Sequence, residues 1–170
     1  MTESASPAPT PSAFSSELGR LVCNKSSGSM PGGLLVLQLV SAASHPGYDR
    51  ITFQFTAFPA PSGVAAIYTV SPATPPFAED GSGRPVNVSG QGFLKVVFSP
   101  AYGRDPEQTT PRATYTGLKN LTPKLLTLVE AKETGDFEGY VTWVLGLTRA
   151  SCWRVTVLSG PPRLVVDVPS

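Results

Sequence analysis

The sequence predicts an all-β domain, an antiparallel β-sandwich or partly closed barrel of about nine strands. Apolar and polar residues alternate with a period of two in one segment after another, as in strands that are buried on one face. The chain contains 18 prolines and 16 glycines, which break helices and favour turns. Only 15% of its residues are charged, and no long segment shows a helical repeat with capping residues. Many short antiparallel strands of this kind favour a sandwich.

The alternation is clearest in residues 50–56. Ile51, Phe53 and Phe55 point to one face and Thr52 to the other, so we expect one face to be buried and the other to be exposed to solvent. Turn-forming residues separate the predicted strands from one another. Eight further strands are predicted, at residues 34–43, 64–70, 92–98, 113–118, 125–133, 138–147, 152–158 and 163–168.

Residues 133–136, Glu-Thr-Gly-Asp, are predicted to form the turn of a β-hairpin. In the strand that follows, Trp143 and its alternate neighbours face the core. Asp136 and Glu138 then fall on the opposite face, which the pattern assigns to solvent, and no cleft is expected there.

The first 17 residues predict a disordered spacer, because serine, proline, alanine and threonine dominate them. Residues 18–170 are expected to form a single domain. Such a spacer commonly separates a bacterial export signal or lipid anchor from a folded domain, so we expect an extracytoplasmic protein whose export signal has been removed. A disordered cytoplasmic tail is the alternative. No apolar run reaches the roughly 18 residues that span a membrane.

The two cysteines, Cys23 and Cys152, lie near the two ends of the expected domain. We predict that they form a disulfide, because the spacer already indicates an oxidising compartment. Two separate buried thiols are the alternative.

The sequence offers little catalytic or metal-binding chemistry. A serine hydrolase needs an imidazole base, but the only histidine is His45, in a His-Pro-Gly turn, and no G-x-S-x-G motif is present. Zinc needs three or four clustered His and Cys ligands. Residues 79–83 lack the ligand pattern of a calcium loop, so a solvated turn is expected there. We therefore predict no enzyme activity, no cofactor and no metal.

A hydrolase that uses paired acids is the weakest hypothesis considered. It requires two carboxylates about 5–10 Å apart in a cleft. For each acid near a strand, a cross-strand ion pair with an arginine is the expected alternative. These acids are Asp49, Glu130, Asp136, Glu138 and Asp167.

A binding surface is the more promising feature, although nucleic acid is not expected as a partner because the net charge is only +1. Exposed arginines and tyrosines could hydrogen-bond or stack on a polymer, and the long loop at residues 99–111 is of a size that is often functional. A structural ladder of charges explains the strand residues equally well. The candidate binding residues are Arg50, Tyr102, Arg104, Arg154, Arg163 and Asp167.

Three blocks of the sequence resemble the AMIN-like domain of secreted and lipid-anchored proteins from Gram-positive, mainly actinobacterial, species. The first is HPGYDRITFQF at residues 45–55, and the second is GQGFLKVVFSPA at residues 90–101. The third, DFEGYVTWVLGL followed by RVTVLSGPPRLVVDV at residues 136–168, is the most specific, because a Gly-Pro-Pro-Arg turn that leads into a Leu-Val-Val-Asp strand is unusual.

The resemblance implies a β-sandwich exported to the cell envelope. By relation to AMIN domains, which target other proteins to the envelope without doing chemistry themselves, it implies attachment to peptidoglycan, another wall polymer or an envelope protein. It implies no catalytic residues. The alternative function, from the high apolar content, is a carrier that holds a small apolar ligand between its sheets.

Overall fold

In a computed structural model, the chain folds as two β-sheets that enclose one apolar core, which confirms the predicted all-β sandwich. The structure describes residues 19–59, 63–106 and 113–170. The predicted spacer and residues 107–112 of the long loop lie outside these ranges, within which there is no helix. The strands are β1 (Ser26–Ser29), β2 (Leu34–His45), β3 (Tyr48–Phe58), β4 (Ile67–Pro72), β5 (Phe77–Ala78), β6 (Pro85–Val86), β7 (Gly92–Ser99), β8 (Ala101–Tyr102), β9 (Asn120–Leu121), β10 (Leu128–Phe137), β11 (Tyr140–Leu147), β12 (Arg154–Leu158) and β13 (Arg163–Pro169).

The strands form a six-stranded sheet in the order β1-β4-β7-β11-β10-β9 and a five-stranded sheet in the order β12-β13-β3-β2-β8. Neighbouring strands are antiparallel except β2 and β8, which are parallel. The small β5–β6 hairpin forms a separate two-stranded sheet. Alternating apolar side chains of both large sheets point inward, as a sandwich requires.

The core between the sheets is filled mainly by aromatic rings. Phe53 of β3 contacts Phe98 of β7 and Trp143 of β11, with ring centroids 5.3 and 5.7 Å apart. Phe55 contacts Phe98 at 4.7 Å. Each of these side chains is fully buried, and burial of a large apolar side chain stabilises a fold by roughly 1.5–3 kcal/mol. Rings from opposite sheets therefore hold the layers together.

The Cys23–Cys152 disulfide is present, as predicted, and it closes a loop of 129 residues. It lies where the N-terminal segment passes from one sheet to the other. Val22 exchanges two backbone hydrogen bonds with Trp153, next to β12, whereas β1 pairs with β4 in the six-stranded sheet. The covalent bond thus reinforces a segment that joins both layers.

The predicted strand at residues 113–118 is wrong. Tyr115 turns its ring back over Gly117, and its hydroxyl donates a hydrogen bond to the carbonyl of Leu118 at 2.5 Å. This contact curls the segment, and only Ala113 makes a β-bridge, to Arg104. The serine-rich β1 and the two-residue strands were not predicted, because they have too few apolar residues to show a pattern.

The β10–β11 hairpin exists, but its turn was predicted four residues too early. β10 continues to Phe137, and the turn contains Glu138 and Gly139, both at positive φ. A β-bulge between Glu133 and Gly135 inserts one residue into β10. A bulge shifts which side chains face inward beyond it, and this changes the surroundings of the two acids in β10.

Candidate functional site

Four of the predicted binding residues lie on the outer face of the five-stranded sheet. Arg50 of β3 is the register partner of Asp167 in β13, which is also the partner of Arg154 in β12. The three side chains therefore form one row across three strands. Arg163 lies in the same strand as Asp167, four positions away and hence on the same face. We call these four residues and Tyr48 the arginine face.

Asp167 binds both arginines of the row. Its carboxylate lies 2.7 Å from Nε of Arg50 and 2.5 Å from Nη2 of Arg154. The Asp167 side chain is only 1% exposed, whereas Arg50 is 31% and Arg154 is 27% exposed. A buried anion thus fixes two cationic groups that still reach the surface. The cross-strand ion pair expected for Asp167 is confirmed.

The ring of Tyr48 supports the same two cations. The Arg50 guanidinium carbon lies 5.4 Å from the ring centroid and that of Arg154 lies 5.9 Å away. The imidazole of His45 stacks on Tyr48 with centroids 4.9 Å apart. Since the face of an aromatic ring attracts cations, the ring further restricts where the guanidinium groups can move.

Burial of Asp167 opposes its ionisation, but the hydrogen bonds from Arg50 and Arg154 outweigh this effect and leave the pKa of Asp167 below its ordinary value. The hydrogen bond between Arg50 and Asp167 also raises the pKa of Arg50. A carboxylate with a lowered pKa stabilises the fold at pH values above its unfolded pKa of about 3.9, and this stabilisation is lost as the pH falls through the folded pKa.

We therefore expect Asp167→Asn to lower the free energy of unfolding at pH 7 by about 1–3 kcal/mol, since two guanidinium groups lose their anionic partner. The difference from the unmodified protein should shrink towards pH 2, where Asp167 is itself protonated. Urea unfolding at pH 7, 5 and 3 measures it. A difference that stays constant over this range would show that the charge of Asp167 does not stabilise the fold.

A second polar surface, which the sequence did not predict as a site, lies along the end of β10. It is a groove with a volume of about 390 Å³. We call it the charged groove. It is lined mainly by Asp80, Arg104, Lys119, Glu133, Gly135 and Asp136.

The bulge in β10 places two acids of the groove on the core-facing side of the six-stranded sheet. Across the hairpin, Glu133 is the register partner of Trp143 and Asp136 is the partner of Val141. Trp143 and Val141 are both fully buried core residues, and cross-strand partners share a face. Asp136 is therefore not on the solvent face, and the expectation that no cleft forms beside it is wrong.

Backbone hydrogen bonds build one wall of the groove beside Arg104. The carbonyl of Gly103 accepts hydrogen bonds from the amides of Thr114 and Tyr115 at 3.0 and 3.1 Å. The Thr114 hydroxyl donates to the carbonyl of Leu37 in β2 at 3.0 Å. The wall is thus anchored to the five-stranded sheet.

The turn at residues 79–84 forms the opposite wall, and it is the solvated turn expected from the sequence. Glu79 accepts hydrogen bonds from the Ser82 hydroxyl at 2.7 Å and from Nε of Arg84 at 2.8 Å. The amide of Asp80 donates to the carbonyl of Thr134 at 2.8 Å, which fixes the turn against β10. No group of side chains in the described ranges could hold a metal ion.

Glu133 is a largely buried acid of the groove, with 6% of its side chain exposed. This burial raises the pKa of Glu133, the Lys119 ammonium 2.6 Å away opposes the rise, and the charge of Asp136 adds to it. The Tyr115 hydroxyl nearby has a pKa raised to about 12, because of its burial and the charge of Glu133. The groove is thus a partly desolvated environment in which charges interact strongly.

The predicted loop residues lie apart from the arginine face. Arg104 lines the charged groove, whereas Tyr102 lies in β8 with its hydroxyl oxygen 3.3 Å from where a Cβ on Gly139 would be. The binding role of all six predicted residues stays a prediction. The structure distributes them over at least two surfaces.

Two further acids have structural partners other than the arginines expected for them. Asp49 is fully buried and accepts hydrogen bonds from the amides of Thr127 and Leu128 at 2.6 and 3.0 Å. Glu130 accepts one from the amide of Ser89 at 2.5 Å. The ion pairs with arginines expected for these two acids are therefore wrong. Both acids instead accept hydrogen bonds from backbone N–H groups.

No helix within the described residues is long and apolar enough to cross a membrane.

Comparison with known proteins identifies a family for this chain. No curated protein and no solved structure matches the chain significantly. The family model for the AMIN-like domain matches residues 35–170, which begin at the second residue of β2 and include the arginine face and the charged groove. The chain therefore belongs to the AMIN-like domain family, as its sequence motifs predicted.

Proposed function

We propose that this protein is a non-catalytic, extracytoplasmic domain of the cell envelope that binds an anionic wall polymer, such as the carboxylate-bearing strands of peptidoglycan, through the arginine face. AMIN-like domains are generally binding domains associated with the envelope. The observation that carries the proposal is the Asp167 carboxylate, which holds two part-exposed guanidinium groups in one row.

The arginine face is suited to carboxylate or phosphate groups. Two of the five N–H groups of Arg50 donate to Asp167, and its side chain is still 31% exposed. Three arginines face a single carboxylate, so the face carries net positive charge although the whole chain is nearly neutral. A planar guanidinium can donate two parallel hydrogen bonds to an oxyanion, and one held in place loses less entropy on binding.

The disulfide supports the proposed location. Disulfides persist in oxidising compartments and are rare in the reducing cytosol, and Cys23, whose side chain is exposed, would be open to cytosolic reductants. We propose either secretion or attachment to the outer face of the cytoplasmic membrane, with a lipid anchor as one means of attachment.

The carrier alternative receives no support from the interior. An apolar ligand would have to lie between the sheets, where the ring of Phe53 contacts those of Phe98 and Trp143. A hydrolase that uses Glu133 and Asp136 is not favoured either, because the Glu133 carboxylate is already paired with Lys119. Binding without chemistry is therefore the function that the geometry supports best.

Co-sedimentation with purified bacterial cell walls tests the proposal. We expect the domain to pellet with the walls above a β-sandwich control protein and to be released by added salt, because salt screens exposed charges. Arg163→Gln should reduce the bound fraction without disturbing the Asp167 ion pairs, and Arg50→Gln should reduce it further.

Arg149→Gln is the matched control, since this arginine is exposed and outside the arginine face. It should bind walls as the unmodified domain does. Equal binding by Arg50→Gln, Arg163→Gln and Arg149→Gln would refute a role for the arginine face, and no sedimentation above the control protein would refute polymer binding itself.

A further inference from the structure

Two ion pairs in the charged groove are complete within the protein. Lys119 lies 2.6 Å from Glu133, and Arg84 lies 2.8 Å from Glu79. These four groups neutralise one another and need no ligand. The interest of the groove lies in the charges that remain.

Three charged groups remain in the groove: Asp80, Asp136 and Arg104. Within the described ranges none of them makes an ion pair. Opposite charges therefore lie in one groove without neutralising each other. A partly buried charge loses hydration, and without an oppositely charged partner no attraction offsets that loss. A ligand with complementary charges would therefore gain binding free energy here.

The Asp136 carboxylate also lacks a hydrogen-bond donor. Its Oδ1 is buried and accepts no hydrogen bond from any described residue. Buried polar atoms are nearly always hydrogen-bonded, so this oxygen marks a place where the folded chain alone leaves an acceptor unsatisfied. An ammonium group has three N–H donors and could satisfy this oxygen.

Glycines make room for both carboxylates. A Cβ on Gly135 would lie 2.1 Å from Oδ2 of Asp80, and a Cβ on Gly103 would lie 3.0 Å from Oδ2 of Asp136. A side chain at Gly135 would displace the Asp80 carboxylate, because 2.1 Å is far below van der Waals contact. The position of the Asp80 carboxylate thus depends on Gly135, and the Asp136 carboxylate lies close to Gly103.

We propose that the charged groove binds an amino acid or short peptide that carries both a free ammonium group and a free carboxylate. The ammonium group binds Asp136, and the carboxylate accepts paired hydrogen bonds from Arg104. A volume of about 390 Å³ is within the roughly 300–1,000 Å³ of small-molecule sites. The proposal does not rest on polymer binding, because the charged groove and the arginine face share no residue.

Titration of the domain with the dipeptide lysylalanine, followed by NMR amide shifts and calorimetry, tests the inference. We expect saturable binding with a dissociation constant on the order of 1 mM or tighter, and shifts centred on Arg104 and Asp136. Acetylation of both amino groups, or amidation of the carboxylate, should each weaken binding about tenfold or more.

Variants assign each ligand charge to its partner. In Asp136→Asn, the acetylated and free dipeptides should bind alike. In Arg104→Gln, the dipeptide and its amide should bind alike. Glu138→Gln, two residues from Asp136, and Arg149→Gln are the matched controls and should keep the discrimination of the unmodified domain. If Asp136→Asn does not fold, the comparison of the dipeptide and its amide in Arg104→Gln still tests the assignment.

Two results would overturn the inference. One is the absence of saturable shifts in the groove with up to about 20 mM dipeptide. The other is equal binding of the free, acetylated and amidated dipeptides to the unmodified domain. Neither result bears on sedimentation with cell walls, so the two proposals can fail separately.

Discussion

Replacing Cys23 and Cys152 together with alanine is expected to lower the free energy of unfolding by about 2–5 kcal/mol. The disulfide closes a loop of 129 residues, and a cross-link over so long a loop removes much conformational entropy from the unfolded chain. Urea unfolding of the variant, compared with the oxidised and the thiol-reduced protein, measures this loss.

The reduced protein is the control for this prediction, because it has the natural side chains without the covalent bond. We expect it to match the double variant within about 1 kcal/mol, and both should keep the dispersed NMR spectrum of the native fold. An unchanged unfolding midpoint after complete reduction would contradict the prediction. It would also remove the main physical support for an oxidising compartment.

Replacing Asp49 with alanine is expected to cost about 3–5 kcal/mol of stability. Asp49 belongs to β3 in the five-stranded sheet. Of its partners, Leu128 begins β10 in the other sheet and Thr127 directly precedes that strand. All three residues are buried. Without the carboxylate, two buried N–H groups would have no acceptor and the layers would lose a polar connection.

Asp49→Asn is the matched variant for this test. Its amide oxygen can still accept hydrogen bonds from Thr127 or Leu128, so we expect a smaller loss of about 1–2 kcal/mol. Hydrogen exchange should show faster exchange of these two amides in Asp49→Ala than in Asp49→Asn. Equal stability of the alanine and asparagine variants would show that the acceptor oxygen is unimportant.

The strands that could be predicted from sequence are those in which alternation follows burial. In β3, Ile51, Phe53 and Phe55 are at most 1% exposed and face the core as expected. The alternation fails in β11, where Thr142 and Val144 on the outer side are also buried. Part of the chain before β7 covers that side, as the contact of Phe77 with Phe93 shows, and no local pattern reveals such a cover.

The arginine face was partly predictable. Positions 163 and 167 must share a face, because they are four positions apart in one strand and side chains alternate with a period of two. That Arg50 and Arg154 flank Asp167 depends on the insertion of β13 between β3 and β12. Strand order is a long-range property, so the sequence could supply the residues but not the row that they form.

The charged groove was not predictable as a site. Glu133 and Asp136 were read as parts of a turn, since Thr-Gly between two acids is typical of one. The residue sequence Glu-Gly at positions 138–139 was the better turn signal. Had the turn been placed there, Asp136 would have been paired with Val141 and assigned to the inner face.

The position of β13 in the five-stranded sheet has a consequence for how the domain forms. A chain that emerges from a ribosome or an export channel with its N-terminus first can complete the β2–β3 hairpin early, because hairpin contacts are local. Until residues 163–169 emerge, β3 has an open edge along Tyr48–Gln54, the residues that pair with β13. An open edge beside apolar side chains invites pairing with other chains. The nascent domain is therefore most prone to aggregate just before its last strand is released.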